Sequence, residues 1–302
     1  MKTIMHPDYW VEIPAGEFLI GMDENQREQI LSVVKRMAQY DQRPLEDCRL
    51  MDMAIDKLRH QVILTDEEKI IFGSNARSVL GLARLHTTPP QQTVWLDRFY
   101  IARYPITAVQ FDLFVKGTPA SEVPGALEGS RTSIIKMKDR EDIYYTQHKA
   151  EVVGAEEFCR QLGARLPTTD EWEKAARGVD GRLYPWGNEW DPNRGHFWAG
   201  QAHQWGASMP PVDAYPDGVS PFEVWDMMGN LPEIILFDKN KNRLSWRGWH
   251  PRRSSPETAF IHYLIADRGV TDHVQTALRP VMDKWQYRQW SGVNFELNPD
   301  AP

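Results

Sequence analysis

Along residues 151–178 the apolar positions fall into two helical stripes. In the first, Phe158, Cys159 and Leu162 lie close together within 151–163, and Gly163 closes the run. In the second, Trp172, Ala175 and Ala176 share one face, and Gly178 ends the run. Thr168 precedes Glu171 by the spacing of a capping box, so the second helix is expected to start there. The Tyr184-Pro185-Trp186-Gly187-Asn188 run then reads as a tight aromatic loop.

Near the N-terminus the period changes. Residues 9–22 read as a short strand, a Pro-Gly turn and a second strand. In 93–115, Leu96, Phe99 and Ile101 suggest strand, and Thr107 begins a helix holding Val109, Phe111 and Phe114. Between these blocks the pattern is helical. Ile30, Leu31, Val33, Val34 and Met37 make one stripe; Leu50, Met51, Met53, Ile55, Leu58 and Val62 make another. Thr65 and Glu68 have capping-box spacing for a third helix. Residues 23–85 are therefore expected to form an inserted helical subdomain, either packed on the core or serving as a docking surface. Residues 116–150 read as loop, and 187–221 as a long aperiodic connection of the kind in which sites are often built.

Composition narrows the class. The chain has 302 residues, with 41% hydrophobic and 25% charged, as in an ordinary globular protein. Twelve Trp and 21 Pro point to a loop-rich fold held by aromatic packing. A net charge of −7 offers no global field for nucleic acid or anionic lipid. No apolar run reaches the ~20 residues of a membrane span. No secretory h-region opens the chain, so a cytoplasmic protein is expected. The two cysteines, Cys48 and Cys159, do not make a disulfide framework, and Cys159 on its apolar stripe reads as a small buried hydrophobe.

The run RLPTTDEWEKAARG at 165–178 followed by YPWGN at 184–188 resembles the signature of the formylglycine-generating enzyme family, also called sulfatase-modifying factors. YWVEIPAGEFLIGM at 9–22 and the 93–115 block are similar to its opening elements. The resemblance implies an α+β, C-type-lectin-like fold of the formylglycine-generating type over 1–22 and 86–302, interrupted by the 23–85 helices.

Four constellations carry candidate chemistry. In Asp226-Met227-Met228-Gly229-Asn230-Leu231-Pro232-Glu233, two carboxylates flank a Gly-Asn turn, an arrangement that could wrap a hard cation. The resemblance implies calcium on the Asp226 side chain, the Gly229 and Leu231 carbonyls and Glu233, although Pro232 and Ile234 stand where the family has aromatic residues. The oxidases of the family use two copper-binding cysteines after an RGGS element, which here reads Arg247-Gly248-Trp249-His250. Arg253 and Thr258 stand near the cysteine positions, and no Cys follows Cys159, so neither copper nor the oxidase mechanism is expected. Arg279 matches the closing element of the family. The spacing of His6 and Asp8 is one fragment of an iron triad without a clear third ligand; His60 and His86 do not complete the three-histidine centre of the sulfoxide-synthase branch.

Lastly, Trp246, Arg247, Trp249, His250, Arg252, Arg253 and His262 crowd the region of the family's substrate groove with the residue types of binding hot spots. The expectation is a non-catalytic module presenting this Trp/Arg/His face to a protein or peptide, with self-association through 23–85 as a further expectation. The alternatives are a metal-dependent oxidase with a non-cysteine centre and a variable ligand-binding protein of a diversity-generating retroelement, which the pattern also resembles.

Overall fold

In the computed structural model the described residues are 7–37, 39–60, 64–71, 89–107, 110–111, 152–197, 210–238, 243–248 and 276–291. Strands β1 (Trp10–Ile13) and β2 (Gly16–Ile20) follow directly in sequence but join different sheets. β1 pairs antiparallel with β4 (Phe99–Ala102), which also pairs with β7 (Val281–Asp283). β2 pairs with β3 (Gln92–Leu96). A third sheet is the antiparallel ribbon of β5 (Glu233–Asp238) and β6 (Arg243–Arg247).

Between β2 and β3 the described chain is mostly helical: α1 (Glu24–Met37), α2 (Leu45–Arg59) and α3 (Asp66–Ile71). The Thr65/Glu68 capping box is formed, each backbone N–H accepted by the other side chain. The apolar faces of these helices are not set apart from the rest. Ile30, Leu31, Met51, Ala54, Ile55 and Leu64 lie in one buried cluster with Ile13, Trp172, Met227 and Ile235. The second stripe is narrower than expected, because Leu50 and Met53 turn outward while Ala54 takes the core position. Val62 lies outside the described residues.

α4 (Val152–Gln161) ends at Gly163, and Cys159 is buried against Phe158 and Phe111 in the second core cluster. Burial pushes the Cys159 thiol well above its ordinary range. Thr107 and Gln110 form the bonds of another capping box; Phe114 and residues 116–150 lie outside the described residues.

α5 (Thr169–Arg177) is the central element. Thr168 caps it with Glu171 in a complete capping box, and Gly178 closes it at φ 71°. Its apolar side, Trp172, Ala175 and Ala176, is buried. Its polar side is buried too, which an amphipathic surface helix would not show. Lys174 donates to the carbonyls of Pro14 and Gly16 at 2.9 Å each. Arg177 pairs with Glu173 and donates to the carbonyls of Gly181 and Arg182. Every buried charge is thereby matched, as a dry environment requires. The approach to α5 is stitched to the sheets: Arg165 exchanges backbone bonds with Val281, and Leu236 donates to the Pro167 carbonyl. The following loop is closed by reciprocal bonds between Tyr184 and Gly187, with Tyr184 and Trp186 stacked at 5.3 Å. In α6 (Lys284–Ser291), Tyr287 stacks on Tyr100 at 3.8 Å.

Candidate functional site

The first residue of β5, Glu233, sits where α5, β7 and the 226–232 loop meet. Its side chain is 2% exposed. Trp172 Nε1 on α5 donates to its Oε2 at 2.6 Å. Arg279, just before β7, grips both oxygens: Nε lies 3.0 and 2.9 Å away, and Nη2 lies 2.6 Å from Oε1. The remaining guanidinium protons go to the carbonyls of Ala102 and Arg103 at the end of β4 and of Trp225 in the loop. Both charges are desolvated and fully engaged, and a fork-shaped cation is what this geometry needs.

This arrangement bears on the calcium expectation. Glu233 faces Arg279 and Trp172, so both of its oxygens already have partners. The loop before it is tightly wound. Asp226 and Asn230 are held at φ 59° and 58°, and Gly229 at 98°. A Cβ on Gly229 would meet the backbone N and O of His196 at 3.1 Å, so glycine is needed for the approach as well as for the conformation. Asn230 N–H donates to the His196 carbonyl at 2.8 Å, and its Nδ2 to Asp226 Oδ2 at 3.2 Å. Asn230 Oδ1 is buried without a hydrogen-bond partner among the described residues. Asp226 is pushed up to about 7, chiefly by burial; its bond to Asn230 and the charge of Arg279 oppose this, and the charge of Glu233 adds to it. Of the expected ligands, Asp226, Gly229 and Leu231 thus share a largely buried loop, while Glu233 belongs to an ion pair.

His196 lies against this loop. Its ring is 3.4 Å from the Tyr215 hydroxyl, and burial lowers its basicity. The adjacent Phe197 belongs to an aromatic cluster with Tyr184, Trp186 and Trp190, its ring 4.6 Å from that of Trp190. Sequence reasoning singled out neither His196 nor Asn230 as a functional residue. A Gly-Asn pair between two carboxylates was the available signal for Asn230; His196 had none.

The expected Trp/Arg/His face begins at β6. Trp246 occupies the register position opposite Ile234, and Arg247 that opposite Glu233. Arg247 is buried rather than presented to solvent, and its charge acts on Asp170 of α5, whose carboxyl is nonetheless raised, mainly by burial. Trp249, His250, Arg252, Arg253 and His262 lie outside the described residues, as do His6, His86 and Thr258. His60 is exposed at the end of α2, with Nδ1 2.9 Å from the Asp56 carbonyl. No group of His, Cys, Asp and Glu suited to holding a metal by itself occurs among the described residues. None of their helices is long and apolar enough to cross a membrane.

Comparison with known proteins places this architecture. Residues 2–248 match the sulfatase-modifying factor enzyme 1-like domain family. An 83-residue stretch is 41% identical to the inactive C-alpha-formylglycine-generating enzyme 2 of Mus musculus, covering 25% of this chain and 27% of that protein. A longer match, 26% identical over 242 residues, joins 75% of this chain to 57% of the formylglycine-generating enzyme of Bos taurus. The chain therefore spans about a quarter of the first of these relatives and little more than half of the second. Among solved structures, PvdO from Pseudomonas aeruginosa shares the fold, with a TM-score of 0.50 at 13% identity over 91% of this chain and 94% of that one.

Proposed function

We propose that this chain, which belongs to the sulfatase-modifying factor enzyme 1-like domain family, is a non-catalytic member whose C-type-lectin-like scaffold presents the segment after β6 to a protein or peptide ligand. The observation that carries the reading is the placement of the thiols. The resemblance puts the oxidase cysteines beyond β6, yet the chain has no Cys after Cys159. Cys159 is buried in the core and Cys48 lies on α2. A copper(I) centre needs thiolates, and a thiol held in its protonated form by burial is not one. Strong local identity to a relative named inactive supports the same reading. A cytoplasmic location and the absence of a nucleic-acid partner remain part of the proposal.

A hard cation would fit the 226–231 loop in reduced form. The Asp226 carboxylate, the Asn230 Oδ1 and the carbonyls of Gly229 and Leu231 would hold it, with Glu233 left to Arg279. The orphaned Asn230 oxygen and the raised Asp226 carboxyl support the fit, because a buried carboxylate short of counter-charge is what calcium satisfies. The ion would supply charge compensation and rigidity, without redox chemistry.

The test pairs binding with turnover. A fluorescent sulfatase-type cysteine peptide is titrated into the protein, and its conversion is followed with copper and oxygen present. Binding without conversion is expected. Conversion accompanied by stoichiometric bound iron or copper would replace this reading with the oxidase alternative.

A further inference from the structure

The β2–β3 ribbon has an outer strand that nothing covers among the described residues. Its composition is unusual for an open edge. Gln92-Thr93-Val94-Trp95-Leu96 carries no charge and no proline, whereas exposed edges are ordinarily blunted by lysine, proline or a bulge. The β2–β3 register runs without a shift from Gly16↔Leu96 to Ile20↔Gln92. Trp95 on this strand is 63% exposed.

The direction of the backbone groups follows from one bond. Leu19 N–H donates to the Val179 carbonyl at 3.2 Å, on the side of β2 away from β3. In an antiparallel pair, hydrogen-bonded and non-hydrogen-bonded residue pairs alternate. The Leu19↔Thr93 pair is therefore non-hydrogen-bonded, as is Glu17↔Trp95. Phe18↔Val94 carries the ladder bonds. Thr93 and Trp95 consequently aim their N–H and C=O groups out of the free edge, with Val94 between them.

We infer that β3 pairs antiparallel with β3 of a second copy of this chain, about a two-fold axis at Val94. That register sets Thr93 against the partner's Trp95 and the reverse. Each facing pair then exchanges both of its outward N–H···O=C bonds, which is how an edge template is satisfied. The charge pattern selects a second copy over an arbitrary strand. Gln92 meets Leu96, and beyond the strand Asp97 meets Gln91 while Arg98 meets Pro90, so the two-fold opposes no like charges. Each Trp95 indole crosses onto the partner's Thr93, an aromatic–β-branched pair of the kind that stabilises sheets. The product is a four-stranded sheet, β2-β3-β3-β2.

The experiment uses the full chain. Its mass is measured by sedimentation velocity from about 1 to about 200 μM, a range suited to a weak, strand-only interface. Amide hydrogen exchange is followed at both ends of the range. The mass is expected to rise towards the dimer. The Thr93 and Trp95 amides are expected to slow about tenfold, matching a tenfold change in edge occupancy, while Val94, already bonded to β2, stays unchanged. Thr93→Pro removes only an outward donor, and Trp95→Lys blunts the edge; both are expected to remain monomeric with wild-type cooperative unfolding. A wild-type chain that stays monomeric throughout overturns the inference. So does a dimer whose Thr93 and Trp95 amides do not slow, which would place the interface on another face. The exchange data come from unmodified protein, so the result stands even if a variant misfolds.

Discussion

Replacing Glu233 by Gln isolates the ion pair on which the candidate site is built. Gln keeps the shape and can still accept from Trp172 Nε1, so the change removes a charge rather than a volume. It leaves the Arg279 guanidinium, 0% exposed, without its counter-ion. Breaking a buried pair in this way costs about 3–5 kcal/mol, because the surviving charge stays desolvated. Against a domain stability of about 5–15 kcal/mol, that is about a fifth or more of the total. The loss should appear in urea unfolding as a lower midpoint at an unchanged slope. Arg279→Lys should be nearly as harmful, since an ammonium cannot span both Glu233 oxygens and the carbonyls of Ala102, Arg103 and Trp225. Asp180→Asn is the control. Its partner Arg182 is also close, at 2.7 Å, but Asp180 is 54% exposed, and such pairs contribute about 0–1 kcal/mol. A Glu233→Gln loss no larger than that of Asp180→Asn would refute the reasoning and return Glu233 to the pool of cation ligands.

In chelator-treated protein, stability should fall as pH rises from about 4 to about 7. The folded Asp226 carboxyl, at about 7, holds its proton where the unfolded one, near 3.8, has lost it; Asp226→Asn should flatten this slope. Calcium at a hundredfold excess over its Kd should then add about 2.7 kcal/mol at neutral pH, and no change in the melting curve on adding calcium would count against the loop as a cation site. A thiol reagent should label Cys48 in the native protein and Cys159 only after unfolding, since burial holds the latter protonated; equal labelling rates would contradict its placement. Met51→Ala should cost about 2–5 kcal/mol, because Met51 on α2 shares a core cluster with Ile13 and Trp172; a loss below about 1 kcal/mol would restore α1–α3 as an independent appendage.

What the sequence determined by itself was local. The Thr168/Glu171 and Thr65/Glu68 boxes, the Gly163 and Gly178 stops and the closed Tyr184–Gly187 loop each involve residues within a few positions of one another. Spacing and residue type are sufficient for them, because a capping bond closes over one helical turn. What the tertiary structure decided was partnership at a distance. Trp172 and Glu233 are 61 residues apart, and Glu233 and Arg279 are 46 apart. Nothing in the spacing of Asp226 and Glu233 shows that an arginine from beyond β6 will claim the second carboxylate. The same holds for β1 and β2, which neighbour each other along the chain yet pair with β4 and β3. It holds again for Arg247, a hot-spot residue type that the buried polar side of α5 draws inside. A carboxylate or a guanidinium reads alike in sequence whether it meets a metal, a ligand or its opposite charge. Only the packing that removes water from it settles which partner must be there.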